Sequence, residues 1–152
     1  MMNFENTIMI ECPLEEVFAF VADFENVPKW NYYVMSVRKL SGGPTADGTI
    51  YHQVRQSDQQ DFRVTDYRPN EAIAVETTPG SQPQFERRFV FEAMDGGTQI
   101  VDSWKLDLGR HPLIQRLGAP RVKAAVAANL GKLKELLETG QTHLQDGREI
   151  TR

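Results

Sequence analysis

PRVKAAVAANLGKLKELLE, residues 120–138, is the stretch on which the fold turns. At 100° per residue, Val122, Ala125, Val126, Asn129, Leu130, Leu133, Leu136 and Leu137 share one face, while Arg121, Lys123, Lys134, Glu135 and Glu138 stand off it. The spacing predicts a long amphipathic helix. Pro120 suits its first turn, where a missing N–H costs nothing, and Gly140 stands where a left-handed C-terminal cap is expected. At 1.5 Å per residue such a helix reaches roughly 28 Å, more apolar stripe than water tolerates. It needs a broad cover. The only broad apolar surface the chain can build is a β-sheet from the strand-like segments between residues 34 and 108. Asn129 breaks the apolar stripe near its middle, and a buried amide there must find a strand carbonyl, an ordered water or a ligand.

Upstream of the helix, the last two strand-like runs, QFERRFVFEA and TQIVDSWKLDL, flank a DGG turn. With Asp95 and Gly96 as the two loop residues of a type I′ turn, residues whose numbers sum to 191 face one another. Phe85, Arg87, Phe89 and Phe91 then oppose Leu106, Trp104, Asp102 and Ile100 on a single face. Arg87 and Asp102 lie diagonally across that otherwise aromatic face. An internal ion pair is expensive to desolvate. Either this end of the face meets water, or the pair consists of polar groups inside a ligand cavity.

The preceding runs, VMSVRKL, TIYHQVRQ, FRVTDYRP and EAIAVETT, are separated by the turns SGGPTADG and SDQQ and complete an antiparallel meander. Residues 4–11 read as a first strand, and Pro13 opens a helix over 13–22 with Glu15 and Glu16 in its first turn. Cys12 falls beside the N-cap, where a thiol pKa can drop, although a small buried residue is the commoner role. DFENVPKWN, 23–31, predicts a second short helix capped by Asn26, with Pro28 early in it. The Trp30, Tyr32 and Tyr33 cluster that follows either plugs the end of the core or forms the mouth of a pocket. After Leu108, GRHPLIQRLGAP is a connector with a first helical portion and a kink or restart at Pro120. Residues 1–139 make the domain, and the polar residues 140–152 are expected to be a disordered tail.

Composition narrows the function classes. A chain of 152 residues is one domain large enough for a core and a cavity. Its net charge of −4 offers no basic field for nucleic acid or for stable association with a membrane surface. The lone Cys12 forms no internal disulfide, and neither a signal segment nor a spanning segment is evident, so a cytoplasmic protein is expected. Histidines at 52, 111 and 143 have no metal-ligand spacing, and no glycine-rich phosphate loop opens a helix. Neither a metal nor a cofactor is expected. His52 and His111 read as exposed or capping residues.

Several stretches carry a family likeness: IECPLEEVFAFVADFENVPKWN at 10–31, VMSVRKLSGG at 34–43, VTDYRPNEAIAVET at 64–77, GGTQIVDSWKLDL at 96–108, and the final helix. The chain resembles the START-like (SRPBCC) superfamily, in particular its polyketide cyclase/dehydrase and lipid-transport branch. The resemblance implies an α+β helix-grip fold, about seven curved antiparallel strands around a long C-terminal helix, with a cavity for an apolar or aromatic small molecule. No catalytic motif carries over.

On this reading Trp30, Tyr51, Phe62, Arg87, Phe89, Asp102, Trp104, Val126 and Asn129 line the cavity, and the occupant is lipid-like, polyketide-like or quinone-like. A cyclase or dehydratase acting in the same cavity is the alternative. Ring closure needs an oxyanion donor, for which Arg87 or Asn129 serves, and a proton-transfer group, for which Asp102 or Tyr67 serves. A co-chaperone-like interaction module is a third possibility and predicts an exposed apolar patch. The expected oligomeric state is a monomer or a homodimer.

Overall fold

In a computed structural model that describes residues 1–152, the chain begins with β1 (Met2–Ile10) and α1 (Leu14–Ala22), followed by a 3₁₀ turn at Phe24–Lys29. The meander is β2 (Val34–Lys39), β3 (Ile50–Arg55), β4 (Gln59–Arg68), β5 (Ala72–Thr77), β6 (Gln84–Met94) and β7 (Gly97–Asp107). Then come α2 (Pro112–Thr139), β8 (Gln141–His143) and β9 (Glu149–Thr151). The first seven strands form one sheet in the order β1-β7-β6-β5-β4-β3-β2. Every neighbouring pair is antiparallel, so short turns suffice to connect β2 through β7. Bulges between Val34 and Ser36 and between Val64 and Asp66 add twist, and the sheet curls into a half-barrel around α2. This is the α+β helix-grip architecture.

The β6–β7 hairpin has the register that its turn chemistry implies, with Phe85 opposite Leu106, Arg87 opposite Trp104, Phe89 opposite Asp102 and Phe91 opposite Ile100. Gly96 supplies the one positive φ of the turn, 82°, whereas Asp95 has none, so the two-residue loop and its register are as expected but the turn is not type I′. Gly97 is required for a different reason: a Cβ there would stand 2.1 Å from the Ile10 carbonyl oxygen, where β1 passes.

Four local readings are corrected by tertiary structure. Asp23 rather than Asn26 caps the 3₁₀ turn, its Oδ1 accepting from the Glu25 N–H at 3.2 Å, because Asn26 Nδ2 is engaged by the Phe20 carbonyl. β4 starts at Gln59, inside the polar SDQQ run, because Gln60 is buried and bonded to Gln53, Asp58 and the Gln82 carbonyl. Pro120 does not begin the long helix but lies within it. The helix starts a full two turns earlier, where His111 Nδ1 accepts from the Leu113 N–H and Gln115 ties the first turn back to Leu108, Asp107 and Arg110.

The fourth correction concerns residues 140–152, which are a hairpin and not a disordered tail. Gly140 takes the left-handed cap expected of it, at φ 87°. The chain then turns back along α2. Leu144 and Thr142 are buried, Thr142 donates to Glu135, and Arg152 pairs with Glu16 and lies over the Phe20 ring. Asp146-Gly147 is a turn signal, but strands of three residues carry too few apolar side chains to register as strands.

The core lies between the concave face of the sheet, α1, the 3₁₀ turn and the C-terminal half of α2. Leu130, Leu133, Leu136 and Leu137 are sealed in it. Nearer the start of α2 the helix stands off the sheet, leaving Val122 and Val126 half-buried and Ala125 exposed. Leu113, Ile114 and Leu117 are exposed at its first turns. Cys12 is a buried junction residue, its Sγ donating to the Leu137 carbonyl at 3.3 Å, and burial raises its pKa where a helix N-terminus alone would lower it. No helix is long and apolar enough to cross a membrane.

Candidate functional site

The gap under the middle of α2 is a cavity of about 270 Å³. One wall is the α2 stripe, with Val122, Ala125, Val126 and Asn129. The opposite wall is the concave face of the sheet, where Phe85 and Arg87 on β6 and Trp104 and Leu106 on β7 point inward together because strand side chains alternate. Gln53 and Phe62 extend this surface on β3 and β4, and Tyr32 and Tyr33 close one end.

Arg87 is the polar centre of the floor. Its Nε and Nη2 donate to Asp102 Oδ1 and Oδ2 at 2.8 and 2.7 Å, a two-point fork. Asp102 is 0 % exposed and Arg87 8 %, which excludes the alternative that this end of the face meets water. Trp104 Nε1 donates a third bond to Asp102 Oδ2 at 3.2 Å. The guanidinium carbon lies 4.3 Å from the Phe89 ring centre and 4.4 Å from that of Trp104, so aromatic faces hold the cation from two sides. Nη1 makes no hydrogen bond within the protein and is not sealed, because Trp30 Nε1 is the one sealed side-chain polar atom lacking a partner.

Two further polar groups are built similarly. Arg55 forks onto Asp58 at 2.7 and 2.8 Å and lies over the Tyr33 ring, and these bonds hold the Asp58 carboxyl down at about 2. Asn129 Oδ1 accepts from Gln145 Nε2 at 3.1 Å. The residues lining the cavity include no carboxylate, imidazole, thiol or amine side chain; their polar groups are arginines, amides and tyrosines.

Of the nine residues that the sequence places in the cavity, Phe62, Arg87, Trp104, Val126 and Asn129 line it. Asp102 sits behind Arg87, Phe89 lies beneath the guanidinium, and both are sealed. Tyr51 is buried against Phe62, with its hydroxyl 2.6 Å from Thr45 Oγ1, and burial raises its pKa. Trp30 plugs the core, whereas its neighbours Tyr32 and Tyr33 reach the cavity, so the aromatic corner serves both roles open to it. Tyr67 packs edge-on against Phe18, away from the cavity. His52 bonds Asp61 and Gln59 among the strands, and His111 is a helix cap. Phe85, Leu106, Val122 and Ala125 also line the cavity, and all four were legible as extensions of the hairpin face and the helix stripe. Gln53 and Arg55 depend on the β3–β4 register, for which the turn residues gave no firm count.

No curated protein matches the chain in sequence. Solved structures match its fold. A protein of Deinococcus radiodurans is 16% identical, with 92% of this chain and 99% of that chain covered and a TM-score of 0.69. The Aha1 dimer from Colwellia psychrerythraea is 19% identical, covering 92% and 98%, with a TM-score of 0.69. DynU16, from the dynemicin biosynthetic locus, is 18% identical over 91% of this chain and 48% of that one, with a TM-score of 0.69. A family model matches residues 1–138, nearly the whole domain, and by that match the chain belongs to the polyketide cyclase / dehydrase and lipid transport family.

Proposed function

We propose that the protein binds a small apolar or aromatic molecule bearing at least one acceptor oxygen, between the sheet and α2. The observation that carries this is the make-up of the lining: aromatic and aliphatic walls, open donors on Arg87 and Asn129, and no side chain suited to moving protons near neutral pH. The volume of about 270 Å³ lies at the lower edge of ordinary ligand pockets and suits a molecule of two or three fused rings better than a whole membrane lipid. For a cyclase or dehydratase, Arg87 would be the oxyanion donor. The proton-transfer candidates do not support that reading, since both Asp102 oxygens are bonded and sealed and Tyr67 lies elsewhere.

Native mass spectrometry of protein purified gently from its own host tests the proposal. A discrete non-covalent adduct of small-molecule mass is the expected result. An empty spectrum, together with no thermal stabilisation by any compound in a panel of polycyclic ketones, phenols and quinones, would overturn it.

A second reading, an interaction module, is favoured by the exposed Leu113, Ile114 and Leu117 on the first turns of α2. It predicts a dimer mass in the same spectrum that Leu117→Glu converts to a monomer.

A further inference from the structure

Asn129 is held on one side only. Its Oδ1 accepts from Gln145, while its Nδ2 has no hydrogen-bond partner in the protein. That nitrogen is not sealed, since the one sealed and unpartnered side-chain polar atom is Trp30 Nε1, and the open space beside Asn129 is the cavity. A side-chain amide has two faces of opposite character, an acceptor oxygen and a two-donor nitrogen. Whichever face the neighbour takes, the cavity receives the other.

The neighbour belongs to the C-terminal hairpin, which lies past residue 138, where the family model ends. Gln145 stands in the turn between β8 and β9. That turn is anchored by the sealed Leu144, by the Leu144–Arg148 and Gly147–Leu144 backbone bonds at 2.9 Å, and by Arg148 Nη2, which donates to the Tyr32 carbonyl at 3.2 Å. Asn129 and Tyr32 both line the cavity, so the hairpin ties together its helix wall and its aromatic end.

We propose that this hairpin sets what the cavity selects, with Gln145 as a positioning residue. By donating to Oδ1 it turns both N–H donors of Asn129 into the cavity, where they meet a carbonyl or carboxylate oxygen of the ligand. Arg87 supplies a second donor from the floor. The inference rests on the cavity reading above.

The test uses the full chain and three probes of nearly equal shape: fluorene, 9-fluorenone and 9-fluorenol, with binding followed by tryptophan fluorescence and calorimetry. Wild type should bind the ketone more tightly than the hydrocarbon. Gln145→Leu should weaken the ketone roughly fivefold, the effect of one net hydrogen bond, and leave fluorene unchanged. Gln145→Glu replaces the donor with an acceptor, draws the Asn129 nitrogen to itself and presents Oδ1 to the cavity. Its preference should pass from ketone to alcohol. Parallel loss of all three probes in Gln145→Leu would reduce the hairpin to a structural strap and overturn the inference. Retained ketone preference in Gln145→Glu would do the same. Wild type binding fluorene and fluorenone equally overturns the positioning role alone; wild type binding none of the three overturns the cavity reading beneath it.

Discussion

Arg87 and Asp102, two positions apart in register on neighbouring strands, close a two-point ion pair beneath the cavity floor, with the carboxylate fully sealed and one guanidinium nitrogen left unpartnered. The carboxylate fixes the plane and position of the arginine between two aromatic rings. Removing only one partner leaves an uncompensated charge. Asp102→Asn should therefore destabilise the fold by about 3–5 kcal/mol in urea unfolding. The double replacement Arg87→Met with Asp102→Leu should recover most of that loss while weakening ligands that carry an acceptor oxygen. A double variant as unstable as Asp102→Asn would show that the pair is needed for folding itself.

Val126 lines the cavity from the helix side and is half-buried. Val126→Trp should occupy the space a ligand needs without overpacking a closed core. The expected outcome is a melting temperature within a few degrees of wild type and loss of thermal stabilisation by ligand, read in one differential scanning experiment. A sharp fall in melting temperature would mean that the space is smaller than the lining implies.

Gly97 has no room for a side chain, because its Cβ position is 2.1 Å from the Ile10 carbonyl oxygen, a backbone atom that moves only with β1. Gly97→Ala should cost several kcal/mol and lower amide-exchange protection along the β1–β7 edge first. Gly131, where an added Cβ would meet nothing within 4 Å beyond its own helix turn, is the control: Gly131→Ala on an exposed helix face should stabilise by about 0.5–1 kcal/mol.

Asp58 titrates at about 2 in the folded protein against an ordinary 3.8, chiefly because Arg55 bonds its carboxylate. A depressed carboxyl pKa stabilises the fold fully above about pH 4 and loses that contribution as the pH falls through about 2. Asp58→Asn should remove about 1–2 kcal/mol at pH 7 and flatten the pH dependence of unfolding in that acid window. An unchanged slope between pH 4 and pH 2 would mean that the Arg55–Asp58 fork is not maintained in solution.

Leu144 is buried although it follows the family domain. Leu144→Ala should cost about 2–4 kcal/mol and release the hairpin, seen as faster proteolysis between residues 140 and 152. A variant as stable and as resistant as wild type would detach the hairpin from the folded unit.

Local chemistry was enough to read the frame. The stripe from Val122 to Leu137 predicted the grip helix, and Gly140 its end. The DGG turn fixed the last hairpin, and with it the diagonal meeting of Arg87 and Asp102, because a side-chain period of two leaves no freedom once the turn is known. Less legible were features whose partners lie far off in sequence. Gln60 reads locally as a turn residue, because its bond to the Gln82 carbonyl spans 22 residues. Asp102 reads as a pocket residue because sequence gives the face but not the depth. Pro120 reads locally as a start, a restart or a kink, because nothing local shows that Gln115 fastens the preceding turns to the end of β7.

The sequence alone determined the strand and helix faces, the closing hairpin's register and the family. Period, turn residues and cap residues are properties of adjacent positions, and they suffice for this. Only the tertiary structure decided that one apolar stripe does two jobs. From Leu130 onward it is sealed core, while from Val122 to Asn129 it stands off the curled sheet and bounds a cavity. Curvature of a seven-stranded sheet accumulates over pairs and bulges distant in the chain, so where helix and sheet touch and where they part is written in no single segment. The same holds for the final thirteen residues, whose few apolar side chains order them only because α2 and α1 are there to receive them.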